Sequence, residues 1–271
     1  MILLFLKTLL FRWYVFFFLF LGFGFLLRQV GTLGASARFA LSFILSYFCE
    51  WSSSLPMGWF PFGHYTYLPT THDREVWIGH LPFMDFLSFS FLMVASLGVV
   101  VRVWGLSIRE ALSWPVRLVW PVLFLADLLF FGIDMVIDPV ALRGNRWFLG
   151  QIYYYPDGGS YFGVPLANFL GWAVLGAMIL FSWRIVSFVI PIHKLPIQKS
   201  DHWLEVDRWG PTFLWFSVFL FNLGIALYLG ELFLFLSDLI VITVLLSIVF
   251  FTKNVFWRRF PLRSSDKVDR S

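Results

Sequence analysis

The chain has one cysteine, five histidines and only 13% charged residues. Soluble domains average about 25% charged residues, so an ordinary water-exposed domain is excluded at the outset. The single cysteine, Cys49, rules out an internal disulfide and a cysteine-based metal cluster, and is expected as a small buried apolar side chain. The histidines, at 64, 72, 80, 193 and 202, form no HxxxH or HxxHH pair. A membrane di-iron oxygenase needs many clustered histidines, so that class is disfavoured. His72 and His80, eight residues apart across a loop, are a poor ligand pair, and no metal site is expected. There is no glycine-rich dinucleotide fingerprint, no phosphate-binding Gly-Lys-Ser/Thr loop and no GxSxG elbow.

What the chain has instead is apolar length. It is 59% hydrophobic, with 35 Phe and 14 Trp in 271 residues. The fold class expected is all-α, a polytopic membrane helix bundle with about seven transmembrane helices. Runs long enough for a bilayer core, roughly 17–25 residues, fall near 9–27, 34–50, 80–101, 115–138, 162–190, 211–229 and 232–252. The last two are divided only by Gly230–Glu231, which suggests a tight turn. The first run is too long and too rich in Phe for a cleaved signal peptide. Residues 1–260 are expected as one transmembrane domain, and 261–271 (PLRSSDKVDRS) as a disordered polar tail.

Basic residues set an expected orientation. With the N-terminus go Lys7, Arg12, Arg74, Arg143 and Arg146, five in all; the other fifteen Lys and Arg fall on the opposite side or in the tail. This favours a cytoplasmic C-terminus, with loops 50–79 and 138–161 facing outward. The same residues show no aromatic-interleaved basic groove, so nucleic acid is not an expected partner. Both outer loops mix Pro, Gly and aromatics, unlike a flexible linker, and are expected to fold back as a cap over the bundle.

Chemistry concentrates in PVLFLADLLFFGIDMVIDPV, which holds Asp127, Asp134 and Asp138. Steps of seven and eleven residues bring the second and third acids to within about 20° of the first on a helix, so one face holds all three. Ionisable groups in a membrane helix face a bundle interior or a polar cavity. Asp138 precedes Pro139, which marks an expected helix end there. Apolar walls and the negative end of a helix both work against a carboxylate's charge, so Asp134 and Asp138 are candidate proton donors. The structural alternative is that they pair with Arg143, Arg146 or backbone amides. Glu50 closes the second run; Asp85 follows HLPFM, as a partner for the Asp face or a residue at a helix start. Asn168 and Trp172, four apart, share a helix face. This inventory of acids, aromatics and amides fits acid–base chemistry.

Three segments in order resemble a known family. They are Glu50 ahead of Pro61-Phe62-Gly63-His64-Tyr65-Thr66-Tyr67, then Asp134 to Asp138-Pro139 with Trp147 following, then Tyr161-Phe162-Gly163-Val164-Pro165-Leu166-Ala167-Asn168-Phe169-Leu170-Gly171-Trp172. Together they are similar to the membrane-type carotenoid hydratases, the family of bacterial carotenoid 1′,2′-hydratases and archaeal bisanhydrobacterioruberin hydratase. The chain departs from that pattern at Ser160, at Ile133 where the family has Trp, and in the longer Tyr153–Asp157 stretch.

The resemblance implies addition of water across the terminal C1′–C2′ double bond of an acyclic carotenoid end group, giving a tertiary alcohol. It implies an acyclic or monocyclic carotenoid as substrate, the lipid bilayer as surroundings, other carotenoid-pathway enzymes as partners, and no cofactor. With the acid face, it makes Asp134, Asp138, Glu50 and Asp127 the candidate catalytic residues. Phe62, His64, Tyr65, Tyr67, Trp147, Tyr161, Phe162, Asn168 and Trp172 are the candidate substrate-binding residues. A proton-coupled membrane transporter is the alternative, since intramembrane carboxylates also serve proton relays. Inverted repeats would favour it, and none is visible.

Overall fold

A computed structural model of the protein describes residues 2–55, 64–113, 116–190 and 201–259. Six of its helices are long and apolar enough to cross a membrane. Among the residues singled out in the sequence, Phe62, His193 and the tail 261–271 lie outside the described residues.

The helices in chain order are α1 (Ile2–Phe11), α2 (Trp13–Ser53), α3 (Asp85–Trp104), α4 (Ile108–Ser113), α5 (Val116–Ala141), α6 (Leu166–Val189), α7 (Asp201–Tyr228) and α8 (Leu232–Arg259). Helix α2 is two helices in one. Gly31 interrupts it at φ 74°, ψ 169°, a backbone region that only glycine enters cheaply. The rings of Phe23 and Phe39 lie 5.1 Å apart across that break. In a straight helix their positions would be about 24 Å apart. The limbs 13–30 and 32–53 therefore run antiparallel, and at 1.5 Å per residue each is about 27–33 Å long, enough to cross a bilayer. With five further helices of spanning length and apolarity, the described residues supply seven segments long enough to cross a bilayer.

Several helix boundaries differ from expectation: α7 begins at Asp201 and not near 211, and α3 at Asp85 and not near 80. The first apolar run is broken at Arg12 (φ −111°, ψ 30°), whose guanidinium turns inward to Glu75, so α1 is a separate short helix. Helix α5 continues through Pro139 to Ala141 instead of ending at Asp138. Only Val140 and Ala141 follow the proline within the helix, so little of the helix ladder is lost. Gly230, at φ 73°, makes the tight turn between α7 and α8.

Helix α3 forms the centre, packed against α2, α5 and α7 with most of its side chains buried. It approaches α7 tightly at Gly98, where a Cβ would lie 2.2 Å from Pro211 Cβ. The two long loops meet over one end of the bundle. Strand β1 (Thr66–Tyr67) pairs antiparallel with β4 (Tyr153–Tyr154), while β2 (Trp77–Ile78) pairs with β3 (Leu81–Pro82). The β1–β4 ladder continues into Leu68 N–H donating to Ile152 O at 2.8 Å.

Candidate active site

Beneath the paired loops lies a cavity of about 150 Å³. That is roughly ten times what one ordered water requires. One pole is acidic, with Glu50, Asp85, Asp134 and Asp138. The rest is apolar and aromatic, reaching Tyr14 and Phe18 on the first limb of α2 and Val218 and Phe221 on α7.

The strands explain how remote loops supply the acidic pole. Alternate residues of an extended segment point to one face. Tyr65 and Tyr67 form one such pair, and Tyr153 and Tyr155 another; Tyr154 between them is exposed. The four rings meet edge to face, with centroids 5.5 Å apart for Tyr65–Tyr67 and 5.9 Å for Tyr153–Tyr155. Burial, and then the neighbouring carboxylates, push all four phenols well above their ordinary range, so they stay protonated and donate.

Those donors are distributed unevenly. Asp138 accepts from Tyr153, from Tyr155 at 2.6 Å and from Asn168 Nδ2 at 2.9 Å. Three donors on one carboxyl suit its ionised form. Asp134, 0% exposed, accepts only from Asn168 Nδ2 at 2.8 Å, and its Oδ1 has no hydrogen-bond partner among the described residues. A buried carboxyl so poorly solvated suits the neutral acid. Asn168 spends both amide hydrogens bridging the two aspartates. Glu50 Oε2 accepts from Tyr65 and lies 2.8 Å from Tyr67 Oη.

The other expected residues divide. Tyr65, Tyr67, Trp147, Asn168 and Trp172 line the cavity. Trp172 packs on Phe89 at 4.5 Å and Phe130 at 5.1 Å, closing the wall on that side. His64 is not part of the lining. Tyr161 and Phe162 are not either; backbone bonds between Tyr161 and Val164 close a turn in which Phe162 has φ 51°. Asp127 shares the helical face but lies about two turns from Asp134, roughly 10 Å along the axis. Its Oδ1 sits against Gly176 of α6, outside the cavity. Arg143 and Arg146 pair with Glu231, at 3.0 and 2.5 Å, not with the aspartates. Their hydrogen bonds hold the partly buried Glu231 carboxyl below its ordinary range.

The sequence did not mark Tyr153 and Tyr155 as site residues. Their spacing repeats that of Tyr65 and Tyr67, and this was the available signal. Tyr14, Phe221 and Asn222 also line the cavity, and no local pattern marks them.

No curated protein and no solved structure matches the chain. A family model described as carotenoid biosynthesis protein matches residues 3–250, nearly the whole bundle and every acid of the cavity. The chain belongs to the carotenoid biosynthesis protein family.

Proposed function

We propose that the protein is a hydratase that adds water across the terminal trisubstituted double bond of an acyclic carotenoid end group. The observation that carries this reading is the contrast at the acidic pole. Asp134 is buried with an unpartnered oxygen, while Asp138 beside it is held by three donors. One carboxyl is suited to give a proton and the other to remain an anion.

Asp134 donates its proton to C2′, the less substituted alkene carbon. The π electrons form the new C–H bond, and a tertiary cation develops at C1′. The Asp138 carboxylate and the surrounding tyrosine rings stabilise that positive charge. Water attacks C1′ and loses a proton, leaving the tertiary alcohol. Addition of water is redox-neutral overall, so this reading calls for no cofactor. The apolar lobe toward Tyr14 and Phe221 accommodates the chain that follows the reacting end.

Expression beside an acyclic carotenoid pathway should yield pigments that are more polar and heavier by one water. Unchanged pigments, with the protein present in the membrane, would shift the reading to a proton-coupled carrier.

The orientation proposed is a cytoplasmic C-terminus with the capped end outward, supported by the fifteen-to-five distribution of Lys and Arg. A periplasm-active reporter should be silent after Arg270 and active near Thr71. The reverse pattern would invert the assignment.

A further inference from the structure

Glu50, Tyr67 and Asp85 form a row at the acidic pole. Tyr67 Oη lies 2.8 Å from Glu50 Oε2 and 2.5 Å from Asp85 Oδ2. A phenol has one hydrogen and can donate to only one of them. The other contact needs a carboxyl proton, so one acid in the row is neutral. Helix position indicates which. Asp85 is the first residue of α3, where the helix dipole favours negative charge, and Glu50 lies in the last turn of α2, where it opposes it. The row therefore runs from neutral Glu50 through Tyr67 to anionic Asp85. Glu50 Oε1 has no hydrogen-bond partner among the described residues, and Glu50 lines the cavity.

We propose that Asp85 accepts the proton released when water captures the cation, acting through Tyr67 and Glu50. This rests on the hydratase reading. As the water oxygen bonds to C1′, its O–H bond breaks and the proton passes to Glu50 Oε1. The proton on Glu50 Oε2 moves to Tyr67 Oη, and the Tyr67 proton moves to Asp85 Oδ2. Glu50 and Tyr67 both end neutral, as they began, with the Glu50 proton now on Oε1, and Asp85 is neutralised as the cation is discharged. Each turnover leaves Asp134 anionic and Asp85 protonated, so a proton must return to Asp134 before the next. Asp85 acts through other groups and is a positioning residue for the water step.

The test separates the two halves of the reaction. Membranes containing the whole protein are incubated with an acyclic carotenoid in deuterium oxide. Hydrated product and deuterium in the recovered alkene are both measured. In Asp85→Asn the acid step survives: Asp134 still delivers a deuteron, and the cation still returns to alkene. Hydration should fall at least about 100-fold, within the range for losing a general base, while the recovered alkene gains deuterium. Tyr67→Phe removes one oxygen from the row and should give the same split. Asp134→Asn should show neither hydration nor exchange. Wild-type hydration by either relay variant, or loss of exchange together with hydration in both, would overturn the relay. A wild-type protein that neither hydrates nor exchanges would instead remove the hydratase reading.

Discussion

Asp134→Asn should leave a folded protein that no longer hydrates carotenoid, with a rate loss of about 10²–10⁴-fold. The amide fills the same buried space and can still accept from Asn168 Nδ2, but it cannot deliver a proton to carbon. Asp138→Asn should behave differently. Every donor around Asp138 expects an oxygen, so an amide nitrogen there must face Tyr153, Tyr155 or Asn168. That variant should lose activity and also about 1–3 kcal/mol of stability. Pigment yield at matched protein level, with thermal stability in detergent, distinguishes the two. Normal yield from both variants would remove the aspartates from the chemistry.

The second large effect concerns the cap. Arg12 and Glu75 form a bidentate pair at 2.8 and 2.9 Å, both side chains 0% exposed, and Arg12 also donates to Leu149 O at 3.2 Å. This ties the start of α2 to both loops that supply the tyrosines. Glu75→Ala would leave a buried guanidinium without its counter-charge, at a cost of about 3–5 kcal/mol. Activity should fall with stability, because the Tyr65–Tyr67 and Tyr153–Tyr155 segments lose their common anchor. Replacing both partners by apolar residues of similar volume should restore much of the stability. A Glu75→Ala protein as stable as wild type would show that the pair does not anchor the cap.

The apolar runs and the Gly230 turn were legible because they are local properties of sequence. So was the shared face of Asp127, Asp134 and Asp138, which follows from helical period alone. Period does not give depth: it could not show that Asp127 falls below the cavity while the other two enter it. The partners of Asp138 were less legible still. Tyr153 and Tyr155 reach it only because β1 and β4, remote in sequence, pair across the bundle end. The Tyr161–Val164 segment belongs to a family-like motif, yet its local hydrogen bonds spend it on a turn. Asn168, a candidate substrate contact from the sequence, bridges two acids on α5 from α6 while lining the cavity.

The source of the new oxygen tests the central claim most directly. Membranes containing the protein are incubated anaerobically with an acyclic carotenoid in water enriched in heavy oxygen. The product predicted is heavier than substrate by one labelled water, with the label in a tertiary alcohol. Oxygen drawn from molecular oxygen, or a product formed only with an added reductant, would contradict it.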